Sequence, residues 1–153
     1  MTLDIISPLN AYGGLFLSAF LAATLLPASS EPVLAALLGL GAQPWVILLA
    51  VATLGNTLGA LANWALGRWC ARFEGRRWFP LTPAGAARAR AWFRRWGTWS
   101  LLFSWLPVVG DPLTVVAGML RTHPARFLLL VAAGKAARYG VVAAAVAGLW
   151  PGG

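Results

Sequence analysis

The segment Leu26-Pro27-Ala28-Ser29-Ser30-Glu31-Pro32 returns 80 residues later as Leu106-Pro107-Val108-Val109-Gly110-Asp111-Pro112. The match continues outward, because Pro44 returns as Pro124 and Val51-Ala52 as Val131-Ala132. Apolar matches are expected by chance in a chain that is 59% hydrophobic, but prolines and an acid also recur in register. Hydrophobic segments that proline interrupts in both halves of a chain indicate a transporter-like site near the bilayer midplane.

The composition predicts an integral membrane protein with a single domain, residues 1–153. Mean hydropathy is +0.73, and only 10% of the residues are charged. The net charge is +8, but eight of the twelve cations lie in one stretch between apolar blocks: Arg68, Arg72, Arg76, Arg77, Arg88, Arg90, Arg94 and Arg95. The positive-inside rule assigns this stretch, about residues 68–98, to a cytoplasmic loop. Without an accompanying recognition module, the charge predicts no nucleic-acid partner.

The chain shows no sign of catalysis, a metal or a cofactor. No catalytic triad, phosphate-binding loop or metal-ligand cluster appears, and Cys70 is the single cysteine. We therefore expect a protein that is not an enzyme. The first ten residues lack a basic region before the first apolar segment, so we expect that segment to remain in the protein.

Proline positions and apolar lengths predict an all-α fold. We expect a helix from Tyr12 to Leu26, a short one from Val33 to Ala42, and full-length transmembrane helices over Trp45–Trp69 and Phe127–Trp150. Trp99–Leu120 is a second interrupted segment. The predicted interruptions lie at Pro27, Pro32, Pro107, Gly110 and Pro112.

Charge bias favours an inverted repeat. If each interrupted segment enters and leaves on one side, repeat 1 (about 11–67) and repeat 2 (about 99–150) each cross the membrane once, in opposite directions. The basic loop and the turn at 121–126 then both face the cytoplasm, as the positive-inside rule requires. The predicted unit is therefore a re-entrant hairpin followed by a transmembrane helix.

The basic loop contains a predicted interfacial amphipathic helix. Thr82-Pro83 is a helix start signal, and the helix is expected over Ala84–Trp99. One side of this helix carries three indoles, Trp92, Trp96 and Trp99, and the opposite side carries Arg90 and Arg94. Indoles in the headgroup region and guanidiniums near phosphates are typical of helices that lie on a membrane. A membrane anchor without lipid specificity is the favoured interpretation.

Ionisable residues at the interruptions are the candidate transport site. Glu31 and Asp111 occupy matching positions, where opposed hairpin tips are expected to meet, and are predicted to carry protons. Lys135 and Arg138 share a helix face near mid-membrane. Together with Arg68, they are predicted to attract an anionic headgroup or to neutralise the acids. The alternative for these charges is a set of structural salt bridges.

Smaller polar residues complete the predicted site. Asn56 and Asn63 face the same way and either line a cavity, with Ser30 and Ser104, or form interhelical hydrogen bonds. Gly55 and Gly59 form a GxxxG pattern, which indicates close helix packing rather than a site.

Several motifs together resemble the DedA family of bacterial inner-membrane proteins, which shares the VTT (SNARE-associated) domain with lipid scramblases of the endoplasmic reticulum. They comprise Ser18-Ala19-Phe20-Leu21, Thr24-Leu25-Leu26-Pro27, Ser30-Glu31, Gly55-Asn56, Leu66-Gly67-Arg68, the run from Ser104 to Asp111, Ala117-Gly118 and the run from Gly134 to Tyr139. The resemblance implies a multi-pass inner-membrane protein with paired re-entrant hairpins. It also implies membrane homeostasis that depends on the proton-motive force, and movement of lipid carriers. Glu31 matches the acid of the family's first hairpin.

The second hairpin departs from the family pattern. Typical members carry two arginines that flank the Pro-Gly interruption, and the corresponding positions here are Ser104 and Gly110. Asp111, Lys135 and Arg138 then supply a different arrangement of charges.

The sequence thus predicts a transporter or scramblase of lipid or lipid-linked phosphate, with protons as a second partner. Two alternatives remain open: a non-transporting membrane homeostasis or assembly factor, and an exporter of small ions or drugs. Small-residue surfaces such as Ala143–Ala147 are compatible with a homodimer.

Overall fold

The computed structural model describes residues 7–24, 29–79, 81–106 and 109–149, and this part of the chain is helical, without a strand. Its six α-helices are α1 (Pro8–Ala23), α2 (Glu31–Leu40), α3 (Trp45–Cys70), α4 (Pro83–Trp96), α5 (Gly110–Met119) and α6 (Pro124–Leu149). Short 3-10 helices cover Ala71–Phe73 and Gly97–Phe103. The all-α prediction is confirmed. The predicted interruptions at Pro27 and Pro107 lie outside the described residues.

Capping residues set the helix boundaries. The Thr82 hydroxyl accepts a hydrogen bond from the Gly85 amide at 3.1 Å, so α4 begins where the Thr-Pro signal predicts. The predicted extension of this helix to Trp99 is wrong. Gly97 has φ of 58°, which ends α4 at Trp96 and places Trp99 in a 3-10 helix.

Two described helical stretches, Trp45–Phe73 and Pro124–Leu149, are long and apolar enough to cross a membrane. The helices α3 and α6 within them are antiparallel. The Trp64 ring near the end of α3 lies 6.1 Å from the ring of Phe127 near the start of α6. Asn56 in the middle of α3 meets Tyr139, farther along α6.

Each long helix follows a short one. The helices α2 and α5 have ten residues each, about 15 Å, or half of the hydrocarbon thickness. The short helix of each half packs against the long helix of the other half, α2 on α6 and α5 on α3. The two halves are therefore interlocked rather than stacked side by side.

Glycines bring helices into backbone contact. A Cβ on Gly55 would lie 2.6 Å from the Phe16 carbonyl oxygen, and Gly59 faces the next turn of α1 in the same way. The predicted close packing at the GxxxG pattern is confirmed. A Cβ on Gly118 would collide with the Trp64 carbonyl, so α5 lies directly on the α3 backbone.

The helix α4 packs one face on α5. Ala86 and Ala89 are buried in a cluster with Leu113 and Val116, which leaves most arginines of the helix exposed. Arg90 pairs with Glu74 at 2.7 Å. The interfacial position of α4 in a membrane stays a prediction.

Candidate charge site at the helix interruptions

Arg138 of α6 connects the two interrupted segments. Its guanidinium forms an ion pair with Glu31 at the start of α2. Its Nη1 also donates to the Trp105 carbonyl at 2.8 Å, in the segment that precedes α5. Glu31 accepts a further hydrogen bond from Ser29. A single side chain in the middle of a long helix therefore bonds to residues beside both interruptions.

Lys135 lies one helical turn before Arg138 and is 3% exposed. Its ammonium group is within electrostatic range of both Asp111 and Glu31. Among the residues that the structure describes, however, no acceptor is hydrogen-bonded or ion-paired to it. Burial of an ammonium is unfavourable unless nearby opposite charges or hydrogen bonds compensate it. We call Glu31, Asp111, Lys135 and Arg138 the charge cluster; it has two acids and two cations.

A chain of hydroxyl and amide groups adjoins the charge cluster. The hydroxyls of Ser30 and Tyr139 are 2.6 Å apart, and the Asn56 side-chain amide donates to the Tyr139 oxygen at 2.9 Å. Asn56 also donates to the Ala19 carbonyl at 3.2 Å. All four helices α1, α2, α3 and α6 therefore meet at this point.

Asn63 makes the corresponding link to the second half. Its amide donates to the Ala23 carbonyl at 2.7 Å and to the Thr114 hydroxyl at 3.2 Å. Thr114 in turn donates to the Asp111 carbonyl at 2.7 Å. Both asparagines face the same way, as their spacing predicts, and that direction is toward α1. Both form interhelical hydrogen bonds, which was one of the two alternatives for them.

Ser104 and Gly110, the two positions where the sequence departs from the expected pattern, both lie in closely packed surroundings. Ser104 is buried, and its hydroxyl has no hydrogen-bond partner among the described residues. A Cβ on Gly110 would collide with the Ser104 carbonyl. The tight turn leaves no room for an arginine at Gly110, and Arg138 from α6 instead brings a guanidinium to the adjacent Trp105 carbonyl.

The remaining predicted residues lie outside the charge cluster or in the first turns of the short helices. The Arg68 guanidinium lies 5.5 Å from the Trp64 ring centroid and forms no ion pair with a described residue, so it is not part of the charge cluster. Pro32 lies in the first turn of α2, as predicted, and Pro112 lies in the first turn of α5. The described residues contain no group of three side chains suited to a metal ion.

Sequence reasoning missed Tyr139 and Thr114 as members of the site. Tyr139 is buried and follows Lys135 by four residues, so it shares the helix face of Lys135 and Arg138. That shared face was a usable signal. No comparable signal exists for Thr114, because its partner Asn63 is far away in the sequence.

The VTT domain model matches residues 26–148 of the chain. The chain belongs to the VTT domain family. The match includes all four members of the charge cluster. Inner membrane protein YqaA of Escherichia coli is 46% identical over 132 residues, which cover 86% of this chain and 87% of the relative. An uncharacterized protein of Haemophilus influenzae is 40% identical over 137 residues, which cover 85% of this chain and 83% of the relative.

Membership in the VTT domain family confirms the resemblance to the DedA group, and the identity to YqaA makes the chain similar to a small inner membrane protein. The YqaA protein of Shigella flexneri has the same identity and coverage as that of Escherichia coli, and both are named as inner membrane proteins. With its long apolar helices, this VTT domain protein is placed in the inner membrane. No solved structure matches the chain.

Proposed function

We propose that this VTT domain protein moves a phospholipid or a lipid-linked phosphate across the inner membrane, as a transporter or scramblase. The observation that carries the proposal is Lys135, a buried cation near the middle of a long helix without a bonded partner among the described residues. Ionisable residues inside a membrane mark substrate or proton pathways by default. A phosphate headgroup would supply an anion that bonds directly to the Lys135 ammonium.

Proton binding couples to headgroup binding through Glu31 in this proposal. Arg138 is held by Glu31 and by the Trp105 carbonyl. A proton on Glu31 removes the negative charge from the ion pair and frees the Arg138 guanidinium for a phosphate. Asp111 lies in the electrostatic field of Lys135 and Arg138 and acts as the second proton carrier. The substrate crosses unchanged, without a chemical step.

The inverted, re-entrant topology belongs to the same proposal. Three observations support it: α2 and α5 are half a bilayer long, α3 and α6 are antiparallel, and each short helix packs on the long helix of the other half. In this topology α2 and α5 begin near mid-membrane, which is where the charge cluster lies. An alternating opening toward each side then exposes the cluster in turn.

Glu31→Gln is expected to remove the pH dependence of lipid movement. Glutamine keeps the shape and a hydrogen bond to Arg138, but it cannot titrate. We would follow fluorescent phospholipid and polyprenyl phosphate in proteoliposomes, with and without a pH gradient. Glu74→Gln is the matched control, because Glu74 also pairs with an arginine but lies in an exposed loop. Movement by Glu31→Gln with an unaltered pH response would refute the proton-carrying part of the proposal.

A non-transporting homeostasis or assembly factor is the second candidate. The ion pair of Glu31 with Arg138 favours it, because a satisfied pair can be purely structural. Reversal of the pair in the double variant Glu31→Arg/Arg138→Glu separates the two functions. Our proposal expects the double variant to regain the folded yield that each single variant loses, but not lipid movement, because the titratable acid has moved to α6. Full recovery of lipid movement with folding would assign the pair a structural role only.

A further inference from the structure

A lateral groove of about 390 Å³ lies between the two long helices. Its surface is formed mainly by small side chains, Ala50, Thr53 and Thr57 of α3 and Ala132 and Ala136 of α6. The volume falls within the range of small-molecule sites in proteins. The groove opens to the outer face of helices that are long and apolar enough to cross a membrane, so its surroundings are lipid chains.

Thr57 gives the groove a polar point. Thr57 as a whole is 6% exposed, and its hydroxyl has no hydrogen-bond partner among the described residues. A buried hydroxyl without a partner is unfavourable, and rotation of the Thr57 side chain toward the groove would let a ligand there accept a hydrogen bond from it. The side-chain oxygen Oδ1 of the neighbouring Asn56 is likewise buried and unpaired within the described part of the chain.

The groove and the charge cluster lie at the same level of the two long helices. Ala132 and Ala136 flank Lys135 within one helical turn, and Thr57 follows Asn56, which bonds to Tyr139. The cluster faces the interior, whereas the groove faces outward. A lipid with its polar part near the cluster therefore has an apolar surface for its chain at the same depth.

We propose that this groove holds an acyl chain of a phospholipid while the lipid is moved, with an ester oxygen that accepts a hydrogen bond from the Thr57 hydroxyl. The assignment of the groove as a substrate site rests on the proposed function. The concave shape argues against a second copy of this chain, because two identical concave faces around a two-fold axis would leave the space between them empty. Hydrocarbon from the bilayer fills the same space without a void.

Photo-crosslinking tests the proposal in the intact protein. Phosphatidylglycerol with a diazirine in one acyl chain is placed in proteoliposomes with the wild type, and crosslinked residues are mapped by mass spectrometry. We expect crosslinks concentrated on residues 49–57 and 132–136. Crosslinks spread evenly around α3 and α6 would overturn the proposal, as would groove residues that escape crosslinking because a second copy of the chain covers them.

Two variants of α6 provide a matched comparison. Ala136→Leu fills the groove, whereas Ala137→Leu adds the same side chain at a neighbouring exposed position that does not line it. We expect Ala136→Leu to lower the groove crosslinks and lipid movement, and Ala137→Leu to leave both near the wild-type level. Equal effects of the two variants would contradict a specific site.

Thr57→Val changes the shape of the side chain very little. It therefore tests the groove even if Ala136→Leu fails to fold. The loss of one hydrogen bond is expected to lower phospholipid retention about fivefold, measured by native mass spectrometry in detergent. Unchanged retention would remove Thr57 from the site. Groove crosslinks without lipid movement by the wild type would refute the proposed function alone, whereas lipid movement without groove crosslinks would refute the groove alone.

Discussion

Replacement of Lys135 with methionine is expected to slow lipid movement strongly and to leave the protein at least as stable as the wild type. Lys135 is buried, and no described residue bonds to its ammonium, so methionine removes an unfavourable buried charge while it fills a similar volume. Loss of one partner from a buried ion pair costs about 3–5 kcal/mol, but Lys135 forms no ion pair with a described residue, so this cost is not expected. The loss of one charge-assisted hydrogen bond to a phosphate is expected to slow movement about 10-fold or more.

The measurement pairs lipid movement in proteoliposomes with thermal unfolding in detergent. Arg126→Met is the control, because Arg126 lies on the same helix but is exposed. It is expected to change neither property appreciably. A large loss of stability in Lys135→Met would show that Lys135 holds the fold together, which is the role that the assembly-factor alternative gives to the whole charge cluster.

Gly118→Ala is expected to lower the free energy of unfolding by about 3 kcal/mol, at the upper end of the cost of overpacking. The added methyl group would meet the Trp64 carbonyl and the Arg68 amide, both of which are backbone groups that cannot rotate away. Separation of α5 from α3 would also weaken the hydrogen bond of Thr114 with Asn63. Denaturant unfolding in detergent, followed by tryptophan fluorescence, measures the loss.

The matched control lies in the first half of the chain. Gly39 occupies the corresponding part of α2, and nothing lies within 4 Å of the Cβ that alanine would add there. Gly39→Ala is expected to raise the free energy of unfolding by up to about 1 kcal/mol, because alanine favours the helix interior. Equal stability of the two variants would mean that α5 does not lie on the α3 backbone.

Local signals predicted much of the fold. The prolines and apolar lengths located both long helices, and the Thr82 cap fixed the start of α4. The end of α4 was missed because glycine in a helical pattern is ambiguous: Gly97 with positive φ ends the helix, whereas Gly55 continues α3. Only the tertiary packing around each glycine distinguishes these two outcomes.

The sequence identified most residues of the charge cluster by their type, but it did not identify the groups to which they bond. Intramembrane charge marked Glu31, Lys135 and Arg138, and helix periodicity placed the two cations on one face. Periodicity gives the direction of a side chain but not the group it reaches, so the bond of Arg138 to the Trp105 carbonyl could not be foreseen. Tyr139 was missed for a different reason: periodicity placed it near Lys135 on α6, but a neutral tyrosine lacks the intramembrane charge that marked the other residues.

Lipid movement by the wild-type protein is the most direct test of the central claim. Proteoliposomes would carry fluorescent phospholipid in the inner leaflet, and its arrival in the outer leaflet would be followed by chemical quenching, with protein-free liposomes as the baseline. Our account predicts movement above this baseline, faster when a pH gradient is imposed. No movement of either phospholipid or polyprenyl phosphate by folded protein, with or without the gradient, would contradict it.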